Sequence, residues 1–498
     1  MYQITSGIYL KYLVGADLGT SGVKLYITDY EGRVVTVVRE KYGLIFRGPD
    51  IVEQNPEDWW NAFSKCLRKV AEKYEVSAIA LSSQANTLLL LDEKGRVLSN
   101  AISWLDQRSF KEVNELIEAF GLKYLHQKTG MIPNPGFTAP KLLWLKKNKK
   151  DLLSRAKKIL FSPQSYIAYK LTGKIAVDRS LASFSMLYDI RKEDWLSEVV
   201  EFTGIEADLL PTIHYSYEVV GHIRSEIAFK LRLSTKIPVI IGAHDQCCAA
   251  LGAGVYCQGP VVDSTGTAGV ILYVAEKLPE EIPESLLVYH YVFPGKWTAL
   301  GTLSASGALI DWLIEFTGRK LSHEEFEREA EKVPAGSNGV RVVPYFSGSF
   351  RPGVPPDARG AILGLTLFHK PHHVYRAIME AIAFELKYYL ETIKNLGYPL
   401  SKVIAVGGGA KSRLWRKIKA NVFELPVLKP KITDTAPLGA CILAGIGSGA
   451  FKNIEDAMRI VSIEEEVKPN KELIIIYRKL YKNYLDLFKK ICLEQYEV

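Results

Sequence analysis

The chain has 498 residues, of which 48% are apolar and 24% charged. This is ordinary globular composition; it excludes a disordered chain, a fibrous repeat and a small disulfide scaffold, and the length accommodates two to four domains of roughly 100–200 residues. Lysine and arginine number 63 against 55 acidic residues, for a net charge of +8, too mild a surplus to suggest the basic stripes of a nucleic-acid binder.

Six cysteines are present: Cys66, Cys247, Cys248, Cys257, Cys441 and Cys492. None forms a C-x-x-C pair and no His cluster accompanies them, so zinc and thioredoxin-type chemistry is not expected. A disulfide framework is not expected either in so long and Cys-poor a chain. The first residues lack a basic segment followed by an apolar one and a cleavage site. No run of about 18 uncharged apolar residues occurs. A cytoplasmic protein without a membrane partner is expected.

In chain order, Tyr12–Asp17, Val23–Asp29 and Val34–Arg39 are β-rich runs. The turns between them are short enough to make antiparallel hairpins. A helix follows over Pro56–Tyr74, with Asn55 as N-cap, Pro56 at the first position and Trp59, Phe63, Leu67, Val70 and Tyr74 on one face. Val76–Leu81 is a buried strand. A similar opening returns halfway: Val261–Ser264, a turn Thr265-Gly266-Thr267, Gly269–Val274, then Leu286–Phe293 and Thr298–Leu303 around Pro294-Gly295. Helices are expected at Gly307–Thr317, His373–Leu396, Ser412–Glu424 and Ala436–Gly447. Ser401–Val406 is a strand feeding Gly407-Gly408-Gly409. Glu472–Gln495 is an amphipathic helix whose face of Tyr477, Leu480, Tyr484, Phe488 and Ile491 packs on the body. The likeness of Asp17-Leu-Gly-Thr-Ser-Gly-Val to Asp263-Ser-Thr-Gly-Thr-Ala-Gly-Val suggests an internal duplication.

The first turn, GADLGTSGVK, combines small residues that leave backbone N–H groups unshielded with the hydroxyls of Thr20 and Ser21 and the nearby Lys24. Such a turn can nest phosphate oxygens, and Asp17 at the strand end could hold magnesium through water. An ordinary hairpin turn is the alternative. Gly407-Gly-Gly-Ala-Lys-Ser places a helix N-terminus beside a strand, which suits a nucleotide's phosphate or ribose. Ser412 stands where a dinucleotide fingerprint needs glycine or alanine, which disfavours an NAD oxidoreductase. No G-x-x-x-x-G-K-[ST] occurs, so ATP chemistry would need a fold other than that of P-loop enzymes. In VIIGAHDQCCAALGAG, Asp245 falls where a buried strand gives way to a small-residue helix; it is either a catalytic carboxylate or an N-cap. Gln84, Asn86, Trp104 and Asp106 are polar and aromatic groups of the kind that grips a polyol.

Taken in order, these segments resemble the FGGY carbohydrate kinases. The resemblance runs from about Val14 to about Gly449 through GADLGTSGVK, ISWLDQR at Ile102–Arg108, GAHDQCCAALGAG at Gly242–Gly254, DSTGT at Asp263–Thr267, PYFSGSFRPGVPPDARGAILGL at Pro344–Leu365, AVGGGAKSRLW at Ala405–Trp415 and DTAPLGACILAGIGSG at Asp434–Gly449. It implies an α/β fold of two actin-like ATPase (ribonuclease-H-like) domains around a central cleft, with residues 1–256 binding sugar and residues 257–498 binding nucleotide. By resemblance, Thr20, Ser21 and Lys24 meet the ATP phosphates from one domain and Thr265, Gly266 and Thr267 from the other. Gly307, Asp311, Gly408, Gly409 and Ser412 line the nucleotide site. Asp245 matches the catalytic base and, with Asp17, the magnesium position. Gln84, Asn86, Trp104, Asp106, Asp245 and Gln246 fall in the sugar site. The cofactors implied are ATP and Mg2+, and the partner is a small sugar or polyol; a homodimer is left open. Glycerol kinases carry an Arg-Glu pair directly after the glutamine equivalent to Gln84, and xylulokinases typically Met-His; here Ala85 and Asn86 stand there. A ketopentose such as xylulose is the expected acceptor. A hexulose, tetritol, aldonate or glycerol, or a non-catalytic actin-like ATP-binding protein, are the alternatives.

Overall fold

Strand character at the N-terminus follows from burial on both faces. In the computed structural model, which describes residues 11–318, 322–349, 351–352, 354–355 and 358–493, strand β1 (Lys11–Leu18) encloses Leu13, Val14, Gly15 and Ala16 consecutively, the continuous apolar pattern of a central strand. It pairs antiparallel with β2 (Gly22–Thr28), which pairs antiparallel with β3 (Val34–Lys41). On β3 every second residue is exposed, as on a sheet with one wet face. Helix α1 (Pro56–Ala71) starts as expected: the Asn55 side chain accepts from the Glu57 amide and Pro56 takes the first turn. Its buried face is Trp59, Ala62, Phe63, Cys66, Leu67 and Val70.

The chain then crosses to β4 (Glu75–Ser83), parallel to β1. The segment that follows holds helices that carried no clear sequence signal, among them Thr138–Asn148, Pro163–Thr172 and Arg179–Phe184. It returns to the sheet as β5 (Val219–His222) and β6 (Pro238–His244), and β6 leads directly into α2 (Asp245–Gly252). The sheet order is β5-β6-β4-β1-β2-β3.

The order of the five central strands recurs. Strands β7 (Gly259–Thr265), β8 (Gly269–Ala275) and β9 (Trp297–Leu303) form the second meander; the run read as Leu286–Phe293 is strand only over Leu287–His290. Helices α3 (Gly307–Phe316) and α4 (Pro371–Asn395) follow, then β10 (Leu400–Val406), α5 (Arg413–Phe423), β11 (Val427–Pro430) and β12 (Ile463–Val467). Here the seven strands run Leu287–His290, then β9-β8-β7-β10-β11-β12, with β7 parallel to β10. This is the ribonuclease-H-like, actin-type arrangement, present twice.

Contacts divide the chain into two units, Met1–Gly254 with Val288–Trp297 and Thr435–Val461, and Val255–Leu287 with Thr298–Asp434 and Ser462–Val498. The first crossing lies two residues from the expected division at 256; the two later returns to the first unit left no mark we read in the sequence. Within the first unit, helix Ala436–Gly447 lies against the sheet at backbone distance: a Cβ on Gly15 would stand 2.1 Å from the Pro437 carbonyl. One on Gly439 would stand 1.9 Å from the Cys248 carbonyl of α2. Small residues here fix where α2 sits. In the second unit, α6 (Lys471–Phe488) buries Tyr477, Tyr481, Tyr484 and Phe488. Hydroxyls of the three tyrosines donate to Glu380, Glu391 and Glu385 of α4, so the tail packs on its own unit. The expected end of this helix, Gln495, lies outside the described residues. No described helix is long and apolar enough to cross a membrane.

Candidate active site

Three parallel strands of the first unit end together. Register places Asp17 of β1 level with Ser82 of β4, and Ser82 level with Ala243 of β6. Asp17 and Asp245 therefore flank the end of β4, their backbones about two strand spacings, roughly 10 Å, apart. Carboxyl ends of parallel strands are where open α/β sheets bind ligands. Asp17 accepts from Ser82 Oγ at 2.9 Å and stands opposite Lys24 in the hairpin register.

The turn Gly19–Ser21 is braced from outside. Tyr42 donates its hydroxyl to the Gly19 carbonyl at 2.7 Å and its amide to Ser21 O, and Gln54 Nε2 donates to Thr20 O. Trp104, 43% exposed, donates Nε1–H to Thr20 Oγ1 at 3.1 Å. That leaves the Thr20 hydroxyl hydrogen to donate and the indole face to pack on a ligand. Gln84 is buried and its amide donates to Gln54 and Thr87, while its Oε1 has no partner among the described residues. Asn86 adopts φ 53° and accepts from Thr138 Oγ1 at 3.3 Å. The structure thus brings Thr20, Gln84 and Trp104 into one neighbourhood.

Asp106 is a correction. Its carboxylate is fully enclosed, accepting from Val52 N at 2.7 Å, Arg108 N at 3.0 Å, and Arg108 Nε and Nη2 at 2.8 Å each. With both oxygens engaged it shapes the Trp104 loop and offers no open carboxylate to a sugar. A residue that local reading missed acts beside it. Lys141, wholly buried, donates to the Asn86 and Gly136 carbonyls at 2.6 Å and to Ile102 O at 3.4 Å, tying together three segments of the site. Burial pulls its pKa down to about 7. Its signal was a lone lysine in the apolar run Ala139–Leu145.

Asp245 is the first residue of α2; the cap position belongs to His244, and no side chain caps this helix. The N-cap alternative for Asp245 therefore fails. Burial pushes the Asp245 carboxyl up to about 6, with the Gln246 amide pulling the other way. Such a shift brings the carboxyl toward the pH at which a base must work; the structural Asp178 is raised equally, so the strand-end position of Asp245 is what sets it apart. His244 Nε2 lies 3.1 Å from Asp245 Oδ1, and burial draws the imidazole down to about 3, so the ring is neutral. Gln246, half-buried, follows on the same helix.

In the second unit, three loops adjoin. A Cβ on Gly307 would stand 2.5 Å from Gly266 O, and one on Gly409 2.4 Å from Thr265 Cγ2. The amides of Ser306 and Ala308 donate to Thr267 O, and that of Gly307 to Gly266 O. Gly266, Thr267 and Gly408 are exposed. Thr265 is a second correction. Its buried hydroxyl donates to Asp263 Oδ1 at 2.8 Å and receives Lys419 Nζ at 2.6 Å, while Lys419 also pairs with Asp263 Oδ2 at 2.5 Å. The side chain anchors the turn and has no hydrogen left for a phosphate. Asp263, the counterpart of Asp17 in the duplicated turn, is neutralised by that lysine. Ser412 caps α5 by accepting from Trp415 N, and Asp311, exposed on α3, pairs with His323 at 3.1 Å.

Comparison with known proteins identifies the family. Profiles of the FGGY family of carbohydrate kinases match residues 12–252 (N-terminal domain) and 261–448 (C-terminal domain). The xylulose kinase of Bacillus subtilis strain 168 is 30% identical over 491 residues, covering 96% of this chain and 98% of the relative. Among solved structures, a ligand-bound xylulose kinase from Lactobacillus acidophilus superposes with TM-score 0.91 at 26% identity, covering 97% of this chain and 98% of that one. A gluconate kinase from the same organism gives 0.90 at 27%, with the same coverage. Two adjoining domain matches, carried on a duplicated fold that solved relatives share over nearly its whole length, make this chain a member of the FGGY family of carbohydrate kinases, phosphotransferases that act on a sugar hydroxyl.

Proposed function

We propose that the protein transfers the γ-phosphoryl group of ATP to a hydroxyl of a ketopentose, xylulose being the acceptor, with Asp245 as general base. The single observation that carries the assignment of the base is Asp245 itself: a partly buried carboxylate with a raised pKa, at the carboxyl end of a parallel strand two strands from the one that ends in Asp17. The choice of xylulose is supported by the xylulose kinases among the relatives.

A sugar hydroxyl is a poor nucleophile near pH 7. Asp245 accepts its proton as the oxygen attacks phosphorus; the bond from phosphorus to the β–γ bridging oxygen breaks and ADP leaves. Such transfers depend mainly on alignment and on electrostatic compensation. In the first unit Thr20, Ser21 and Lys24 are the groups that would donate to phosphate oxygens; in the second unit the backbone of Gly266 and Thr267 is exposed for such donation. Gly307, Asp311, Gly408, Gly409 and Ser412 border the nucleotide. Trp104 provides an apolar wall for the sugar, and Gln84 Oε1 an acceptor for one of its hydroxyls; Asn86 and Gln246 complete the wall. No described group of three or more His, Cys, Asp or Glu forms a protein cage for a metal. Magnesium normally takes only one or two carboxylates and fills its shell with water and phosphate, so the hard oxygens of Asp17 and Asp245 suit it; when bound, it offsets phosphate charge.

The test is an ADP-release screen over pentuloses, hexuloses, aldonates, tetritols and glycerol. Xylulose should give the highest kcat/KM. Glycerol should be poor, because Ala85 and Asn86 lack the charged pair of glycerol kinases, and a site built for particular hydroxyls discriminates by orders of magnitude. Glycerol or gluconate leading the screen would overturn the substrate.

A further inference from the structure

Asp245 does not stand alone at the head of α2. The preceding ring, His244, is 7% exposed and lies against Phe184 (centroids 4.4 Å apart) and Tyr289 (5.7 Å). Its Nε2 is 3.1 Å from Asp245 Oδ1, whereas Nδ1 is buried with no partner among the described residues. Nε2 faces that acceptor and Nδ1 faces none, which favours the ring hydrogen on Nε2. The backbone beneath is pinned as well. The His244 amide donates to Ser180 Oγ at 2.9 Å, and that hydroxyl donates to Asp178 Oδ2 at 2.5 Å, which Ser216 Oγ also reaches at 3.0 Å.

We infer that His244 is a positioning residue: it holds Oδ1 of Asp245 through Nε2–H, fixing the carboxylate so that Oδ2 is the atom that takes the sugar's proton. This rests on the reading of Asp245 as the base. Its aromatic packing sets the ring, the ring sets the carboxylate, and the Ser180–Asp178 chain sets the strand end from which both project. A carboxylate released from such a hold samples other rotamers, and a displacement of about 1 Å at a reacting group costs on the order of 10²-fold in rate.

The experiment compares His244→Phe, His244→Gln and Asp245→Asn in the full-length protein, with kcat, both KM values and melting temperature measured on each. His244→Phe keeps a ring beside Phe184 and Tyr289 but removes the donor. It should lose about 10–100-fold in kcat, with KM for sugar and for ATP within about twofold of wild type and melting temperature little changed. His244→Gln keeps an N–H and should recover part of the loss. The double variant with Asp245→Asn should be no slower than Asp245→Asn alone, since a positioning residue has nothing left to position. Should His244→Phe not fold, His244→Gln against His244→Leu decides: the glutamine variant must be the faster. Wild-type kcat in His244→Phe or in His244→Leu, or a raised KM at unchanged kcat, overturns the inference while leaving the base intact. Full turnover in Asp245→Asn overturns the base itself.

Discussion

Lys141 shows how a single buried residue ties separate segments together. Three carbonyls converge on its ammonium, those of Asn86, Ile102 and Gly136. Lys141→Met would leave the Asn86 and Gly136 carbonyls without this donor, at about 1–3 kcal/mol for each group that water cannot reach, whereas Ile102 O still accepts from the Leu88 amide at 3.0 Å. The expected result is a large drop in melting temperature and, in whatever folds, a raised KM for the sugar with KM for ATP unchanged; steady-state kinetics on both substrates check it. Asp178 offers a pH test. Burial raises its pKa from the ordinary 3.8 to about 6. Because the folded-state value lies above the unfolded one, the carboxyl is protonated in both states below about pH 4 and costs nothing there. The penalty grows as pH rises from 4 to 6 and is complete above 6, at most on the order of 3 kcal/mol. Asp178→Asn should therefore gain in melting temperature relative to wild type between pH 4 and pH 7; a difference that stays flat contradicts the assignment. At this scale the sequence was partly readable. Asp245 stood out because a β-run met a small-residue helix at an acid. Asp106 misled, because a cluster of polar residues in five positions satisfied itself: Arg108, two residues away, consumes its carboxylate. Lys141 and His244 act through partners set by tertiary packing, which spacing cannot show.

Among elements, the junction of β7, α5 and the loop after β10 is the clearest unit of design. Lys419 on α5 reaches both Asp263 and Thr265, so a helix 154 residues downstream fixes the phosphate-type turn. Removing only the lysine strands a buried carboxylate, which typically costs 3–5 kcal/mol. Lys419→Met should accordingly unfold at much lower temperature, and Lys419→Met with Asp263→Asn should regain most of that loss. The double variant should still show a severalfold higher KM for ATP and an unchanged KM for the sugar, since Thr265 loses its charged anchors; an unaltered KM for ATP would show that the network serves stability alone. Strands and helices with strong periodicity were legible here. Helix Ala436–Gly447 has the span its composition predicts, and α1 begins at the residue its cap and proline specify. The helices between Phe110 and Leu231 were not. Several have under nine residues, too short for a 3.6-residue period to emerge from composition, and they are held by packing on neighbours.

At the scale of the whole molecule, one turn motif appearing twice announced a duplicated fold, and the two sheets bear this out with the same order in their five central strands. The copies have diverged in a physically informative way. In the first, the strand-end acid Asp17 is held by the neutral hydroxyl of Ser82. In the second, Asp263 is cancelled by Lys419. The sequence shows both aspartates but not that difference, since Lys419 lies far along the chain. The measurement that bears most directly on the central claim is ADP release from magnesium-ATP, with and without xylulose, in the wild type and in Asp245→Asn. The account predicts release that depends on the sugar and yields one sugar phosphate per ADP. In Asp245→Asn it predicts a fall of about 10²–10⁴-fold at unchanged melting temperature and ATP affinity. ATP hydrolysis indifferent to every sugar, or an Asp245→Asn variant turning over at the wild-type rate, would contradict it.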